Sequence, residues 1–181
     1  MLMSINDDCS YILLEKLLDE KNIGYSLNPL SFVVSLKLIT KKTMDLERIK
    51  DIIKRQDGLS NTLGMEFIST PEPDTCMARM KVDDSNKQVF GFLSGGATLA
   101  LAENLAGVGS MALCPDKICV GINVSGNHVR PVMEGDTVTA YGRLQHKGDT
   151  LHQWHIEIKD QNDKLISTVQ VTNFAMRKPK K

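Results

Sequence analysis

The chain has no excess of charge of either sign. Its 181 residues include 22 basic and 22 acidic side chains, so the formal net charge is zero. This balance removes the general electrostatic reason to expect a nucleic-acid-binding protein, because such proteins concentrate Lys and Arg. The one basic cluster, 177–181, is typical of a solvated chain end. Apolar residues make up 41%, which excludes a chain too polar to fold.

Features of a metal site, a disulfide framework and a secretory segment are also lacking. The four cysteines contain no C-x-x-C pair and lie at no zinc-ligand spacing from a histidine. His152 and His155 lie three residues apart in a strand-like run, so we expect them to point to opposite faces. We therefore expect no metal. Free thiols, together with Asp7 and Asp8 where a signal peptide would need apolar residues, favour the reducing cytoplasm.

The chain divides into residues 1–43 and a domain of residues 44–181. Thr43 is a plausible N-cap for a helix that runs to about Gln56, so Met44 stands at the start of a structural unit. Two interpretations of residues 1–43 remain open. They form a packed N-terminal extension, or Met44 is the natural start and the upstream residues do not belong to the natural protein.

In the rest of the domain, apolar and polar residues alternate as in strands, both before and after one long apolar segment. Strand-like runs occur at 64–70, 76–82, 117–130, 136–146, 149–160 and 164–176, with turn residues between them. We expect consecutive strands joined by short turns to pair antiparallel. The order along the chain is one helix, two strands, one helix and four strands. This order predicts an α+β domain with a strongly curved antiparallel sheet around a long central helix.

The apolar segment 91–115 contains a single charged residue, Glu103. Four glycines between Gly95 and Gly109 and several polar residues interrupt it, so a buried helix over about 94–113 is favoured over a membrane span. A glutamate in such a helix is a general base or nucleophile in a dry site, or a carboxylate satisfied by distant partners or at the helix edge. No Lys or Arg lies within four residues to neutralise it.

The start of this helix is a candidate hydrogen-bonding site. Ser94 can act as the N-cap, and Gly95 and Gly96 then place N–H groups without intrahelical partners at the positive end of the helix dipole. Because no side chain covers them, a ligand carbonyl can approach closely, as in an oxyanion hole.

Three motifs carry a resemblance to a known family. QVFGFLSGGA at 88–97, LAEN at 101–104 and NHVRP at 127–131 resemble hotdog-fold acyl-CoA thioesterases, in order and at the expected spacing. The most similar group contains phenylacetate-pathway thioesterases and the dihydroxynaphthoyl-CoA thioesterases of menaquinone synthesis. The resemblance covers residues from about 60 to 177 and implies the hotdog fold.

The resemblance also implies roles for individual residues. Glu103 matches the catalytic carboxylate, Gly95 the oxyanion N–H donor and Gln88 the glutamine that orients the thioester. Ser94 stands where many relatives carry a histidine. Because serine can still donate a hydrogen bond, this difference implies altered tuning of the site rather than a loss of function. Positions that match substrate- and coenzyme A-binding residues are Gly96, Gly121, His128, Val129, Arg130, Pro131, His146, Lys147, Gly148, Asp149 and Thr150.

The expected activity is hydrolysis of an acyl-CoA thioester to a carboxylate and coenzyme A, without a metal or redox cofactor. Glu103 either attacks the carbonyl to form a mixed anhydride or activates water, and both routes stay open. An aromatic acyl group, with dihydroxynaphthoyl first, is preferred over a medium-chain one. A hotdog dehydratase would need a histidine with an acid, and no matching histidine precedes Gly95. A regulatory protein that binds acyl-CoA without hydrolysing it, called here a silent acyl-CoA-binding protein, would need an attached DNA-binding or sensory domain.

The spacing of the candidate residues predicts an oligomer. Gly95 and Glu103 are eight residues apart, about 12 Å along a helix, too far for both to contact one thioester. Two antiparallel helices related by a two-fold axis remove this problem, since Gly95 of one chain then faces Glu103 of the other. We therefore expect a homodimer or a dimer-of-dimers tetramer with shared sites, and neither a nucleic-acid nor a membrane partner.

Overall fold

The computed structural model describes residues 44–55 and 58–178, apart from the side chain of Arg48. The predictions for residues 1–43, including the cap at Thr43, lie outside this part of the chain. The elements in chain order are α1 (Glu47–Lys54), α2 (Leu59–Thr62), β1 (Glu66–Ser69), β2 (Thr75–Lys81), α3 (Gly95–Leu113), β3 (Lys117–His128), β4 (Thr137–Lys147), β5 (Leu151–Lys159) and β6 (Leu165–Arg177).

The predicted fold class is confirmed, with two differences at the N-terminal helices. α1 begins after Leu46 rather than after Thr43, and the Asp45 carboxylate accepts a hydrogen bond from the Glu47 N–H at 3.0 Å. The single turn α2 was not predicted, because four residues are too few to show a helical period.

The six strands in the described part of the chain form one antiparallel sheet in the order β1-β2-β4-β5-β6-β3. The expectation that all consecutive strands pair is wrong for β3 and β4, because β3 pairs with β6, for example at Val124 and Val171. The connection 129–136 is anchored elsewhere: the Val132 carbonyl accepts from Leu93 N, and the Asp136 carbonyl accepts from Val82 N, each at 2.8 Å. As a result, β3 lies at an edge of the sheet.

Helix α3 packs across the sheet and contacts five strands, β2 to β6. Leu101, Ala102 and Leu105 are fully buried there. Gly109 allows the helix to approach the sheet, since a Cβ at this position would lie 2.8 Å from Cζ2 of Trp154. The predicted buried helix is thus confirmed. Within the described residues, no helix has the length and continuous apolarity required to cross a membrane.

A buried polar cluster holds the C-terminal half of α3 against the sheet. The Ser110 hydroxyl accepts hydrogen bonds from Trp154 Nε1 and Asn173 Nδ2, both at 2.9 Å. All three residues are fully buried. Because buried donors without an acceptor are costly, this cluster sets the position of the helix along the strands.

One face of α3 is only partly covered by the sheet of its own chain. Leu99, Ala100, Glu103 and Gly107 are each half-buried and recur at helical spacing. The sheet of the same chain therefore does not cover every face of the central helix. The remaining surface of this face must be covered by another molecule or stay in contact with solvent.

A chain that begins at Met44 should remain folded and keep its activity. Met44 and Leu46 anchor α1 in the core, with exposures of 3% and 0%, and both stay in the shortened chain. Size-exclusion chromatography and an activity comparison with the full chain measure the outcome. Aggregation of the shortened chain alone would show that residues 1–43 contribute to the core.

Candidate active site

The start of α3 presents backbone donors, as the sequence predicts. Ser94 is the N-cap residue, as the sequence predicts, although its hydroxyl makes no capping hydrogen bond. Its carbonyl instead accepts from both the backbone N–H and the hydroxyl of Thr98 at 3.0 Å. The N–H groups of Gly95 and Gly96 lie in the first turn, where no preceding helical carbonyl can accept from them.

A cavity of about 320 Å³ lies beside this helix N-terminus. It brings together six of the residues predicted for the site, which are Gln88, Gly95, His128, Val129, Arg130 and Pro131. Phe92, Leu93, Val132 and Ile166 supply apolar wall. Arg130 is the only charged residue in the lining and makes no ion pair with the described residues.

His128 fills the space between this cavity and the helix. Its Nδ1 lies 2.9 Å from the hydroxyl oxygen of Ser167 on β6. Its Nε2 faces the helix, because a Cβ on Gly95 would lie 2.9 Å from this atom. Ser167 and Thr98 also line the cavity, and neither was predicted. The only signal for Ser167 in the sequence is a hydroxyl within an apolar strand.

Glu103 lies two turns further along α3, against β3. It is half-buried rather than fully buried, and the ion pairs of the described residues all involve other carboxylates. A Cβ on Gly121 would overlap its Oε1 and lie 3.0 Å from its Cδ. In the same way, a Cβ on Gly126 would lie 3.0 Å from Leu99 Cδ2. These glycines let helix side chains approach β3, and Gly121 makes room for the carboxylate. The predicted contact of Gly121 with coenzyme A stays a prediction.

The predicted binding turn 146–150 lies at the opposite end of α3. Lys147 Nζ donates to the Leu113 carbonyl at 3.5 Å, and Lys117 Nζ donates to the Asp149 carbonyl. Helix α3 has 19 residues and is therefore about 28 Å long. One chain thus holds three separate groups: the cavity at the helix N-terminus, Glu103 above Gly121, and the turn 146–150.

The edge strand β3 has one side without a partner strand in the described chain. It is 12 residues long, with a bulge between Gly121 and Asn123. Ile122 within the bulge is 58% exposed. A long edge strand is a ready template for pairing with another chain. The half-buried face of α3 adjoins this edge through Glu103, so both surfaces are continuous.

The two histidines of β5 point to opposite faces, as predicted. His152 is fully buried, and its Nε2 lies 3.7 Å from the Cys114 sulfur, whereas His155 lines a cavity on the outer face. Burial, reinforced by the positive charges of Lys147 and Lys117, lowers the pKa of His152, so it stays neutral at physiological pH. In the described ranges, no three His, Cys, Asp or Glu side chains come close enough to hold a metal ion.

Comparison with known proteins gives consistent matches. Residues 90–167 match the family model of the Thioesterase superfamily. A provisionally named esterase of Deinococcus radiodurans is 43% identical over 116 residues, 63% of this chain and 71% of the relative. The 1,4-dihydroxy-2-naphthoyl-CoA hydrolase of Listeria monocytogenes is 33% identical over 125 residues, 68% of this chain and 99% of the relative.

The fold of this chain also matches that of a solved thioesterase structure. The crystal structure of a point variant of a Pseudomonas aeruginosa thioesterase superposes with a TM-score of 0.69 and 30% identity. The superposition covers 76% of this chain and 98% of that one. The region matched by the family model spans Gly95, Glu103, Gly121 and His128.

Proposed function

Because this chain belongs to the hotdog-fold acyl-CoA thioesterase family and is a thioester hydrolase, we propose that Glu103 and the Gly95 N–H carry out its chemistry on an aromatic acyl-CoA. One observation above all supports this assignment. Glu103 is the single carboxylate of its segment and lies half-buried above Gly121, with no ion pair to any residue that the structure describes. It projects from the helix whose N-terminus borders the cavity.

The proposed reaction begins with polarisation of the thioester carbonyl by the Gly95 N–H, aided by the helix dipole. In one route a Glu103 oxygen attacks the carbonyl carbon, the C–S bond breaks with its electron pair on sulfur, and water then cleaves the anhydride. In the other route Glu103 takes a proton from water while the water oxygen attacks the carbonyl carbon. The C–S bond then breaks with its electron pair on sulfur, and the thiolate takes up a proton. Both routes release the carboxylate and coenzyme A.

An aromatic acyl group is proposed on two grounds. The Listeria relative is named for a dihydroxynaphthoyl thioester, the substrate type expected in menaquinone synthesis. The cavity also offers Phe92, Leu93 and Ile166 as apolar walls beside the polar Gln88, a combination suited to a ring that carries polar substituents. Ser94, in place of the histidine that many relatives carry, still offers a hydroxyl at the start of α3 that can donate a hydrogen bond.

Coenzyme A is proposed to bind as part of the substrate, with no separate cofactor. Arg130 in the cavity and Lys147 in the distant turn are the cations available for its phosphates. His146 and Thr150 complete the turn that the family resemblance assigns to this role. These groups lie at opposite ends of α3, so one chain alone does not form a continuous coenzyme A site.

The proposed assembly is a homodimer, or a tetramer built from two such dimers, with sites shared between chains. The unpaired edge of β3 and the half-buried face of α3 are the surfaces that a second copy would cover. In that arrangement the partner supplies the carboxylate that the cavity lacks. The cysteines of the described residues, Cys76, Cys114 and Cys119, are free, which fits our proposal of a cytoplasmic location.

A panel of acyl-CoA thioesters tests the proposed function. Thiol release, followed by absorbance, is measured with dihydroxynaphthoyl-, phenylacetyl-, benzoyl- and medium-chain acyl-CoA. We expect hydrolysis with the highest kcat/KM for an aromatic substrate. A higher value for medium chains would contradict the substrate class alone. Binding without hydrolysis would favour a silent acyl-CoA-binding protein, and loss of water from a 3-hydroxyacyl-CoA would favour a dehydratase.

Gly121→Ala should reduce kcat by about 10- to 100-fold, because the added methyl group displaces the Glu103 carboxylate and misplacement by about 1 Å has effects of this size. Thiol release measures the effect, and circular dichroism checks the fold. Gly58→Ala is the matched control, since a Cβ there meets no atom within 4 Å. Unchanged turnover in Gly121→Ala would show that the reaction does not depend on this position of Glu103.

A further inference from the structure

His128 and Ser167 form a pair on the inner face of the sheet. They are opposite each other in the register of β3 and β6, and His128 Nδ1 lies 2.9 Å from Ser167 Oγ. Ser167 is fully buried, whereas His128 is exposed at the cavity. The family resemblance assigns His128 to substrate binding and assigns nothing to Ser167.

The buried hydroxyl determines which nitrogen of the imidazole carries the proton. Within the described part of the chain, His128 is the only side-chain hydrogen-bond partner of the Ser167 hydroxyl. If Nδ1 donated to Ser167 Oγ, the hydroxyl proton would be left buried without an acceptor, which is costly. The Ser167 hydroxyl therefore donates to Nδ1, and the proton of the neutral imidazole resides on Nε2.

Nε2 faces the same space as the N–H groups of the first helical turn. It lies against Gly95, and both residues line the cavity with Gln88. An N–H at this position points toward any carbonyl that the Gly95 N–H polarises. We propose that His128 Nε2–H is a second hydrogen-bond donor to the thioester carbonyl, and that Ser167 is the positioning residue that keeps this donor protonated and oriented. This inference rests on the proposed function.

The surroundings leave the imidazole without a competing partner. The first turn of α3 contains no acidic residue, and β6 contributes Ser167 and Ile166. Among the lining residues that the structure describes, Arg130 is the only charged one. No described carboxylate accepts a hydrogen bond from His128. The hydrogen bond to Ser167 is therefore the interaction that orients the ring.

Two pairs of variants test the donor role. His128→Gln, whose amide N–H can reach the Nε2 position, should keep kcat within about tenfold of the unsubstituted value. The shorter His128→Asn should lose about 100-fold in kcat with little change in KM. Ser167→Thr keeps the hydroxyl and should retain kcat, whereas Ser167→Ala should lose about three- to tenfold. His155→Asn, on the outer face, is the control and should have no effect.

Coupling between the two residues and the state of the ring are measured separately. In the His128→Asn background, Ser167→Ala should cause no further loss, because the donor that it orients is already absent. Nitrogen-15 NMR of the imidazole should show a protonated Nε2 and a bare Nδ1 in the unsubstituted protein.

The outcomes separate this inference from the proposed function. If the unsubstituted protein hydrolyses no thioester, the proposed function is wrong and the donor role falls with it. If it hydrolyses thioesters but His128→Asn raises KM and leaves kcat unchanged, His128 only binds substrate and the inference alone is overturned. A protonated Nδ1, or equal kcat in Ser167→Thr and a folded Ser167→Ala, would also overturn it.

Discussion

Replacing Glu103 by glutamine should reduce thioester turnover by at least about 100-fold, because removal of an essential nucleophile or general base costs orders of magnitude in rate. Glutamine has nearly the same shape, so it opens no cavity and should fit above Gly121 as the carboxylate does. The side chain makes no ion pair in the described residues, so its loss breaks no salt bridge. Thiol release from the preferred acyl-CoA measures the effect.

Glu66→Gln is the matched control for this experiment. Glu66 is exposed on β1 and also makes no ion pair there, so the same chemical change should leave turnover unaltered. Thermal unfolding of both variants should match that of the unsubstituted protein. If folded Glu103→Gln keeps more than about a tenth of the turnover, Glu103 is neither the nucleophile nor the base.

Mixed dimers of two inactive variants should recover activity. Glu103→Gln lacks the carboxylate, and Gly95→Pro lacks the N–H donor while proline is tolerated at the first helical position. Refolded together in equal amounts, about half of the dimers contain one chain of each kind, and each mixed dimer has one intact site. Activity should therefore return to about a quarter of that of the unsubstituted protein.

In the proposed dimer, complementation should tolerate a defect in the proline chain. A Cβ at position 95 would lie 2.9 Å from His128 Nε2, so Gly95→Pro also displaces His128 in its own chain. The intact site of a mixed dimer takes Gly95 and His128 from the other chain and only Glu103 from the proline chain. If mixed dimers, verified by mass spectrometry, remain inactive, the two residues do not share a site across the interface.

The candidate site was predictable where adjacent residues carry the signal. Gly95 and Gly96 at the start of an apolar helix indicated unpartnered N–H groups, and Glu103 was conspicuous as the single charge of its segment. The hydroxyl of Ser167 gave no comparable signal, because its significance depends on a histidine 39 residues away along the chain. The sequence also carried no sign that a side chain must be missing at Gly121, because this need arises from Glu103 above it.

The sequence by itself determined the fold class and most elements, because hydrophobic periodicity and turn residues act over a few neighbouring positions. Helix α3 begins after Ser94 as predicted, and the strands from β3 onward fall close to their predicted ranges. Only the tertiary structure decided that β3 pairs with β6 at the sheet edge and not with β4, the next strand along the chain. That choice depends on packing between residues distant in sequence, such as Val124 opposite Val171, which no local pattern specifies. The separation of Gly95 and Glu103 follows from their spacing along one helix, whereas the position of the turn 146–150 at the other end of α3 depends on the same long-range packing.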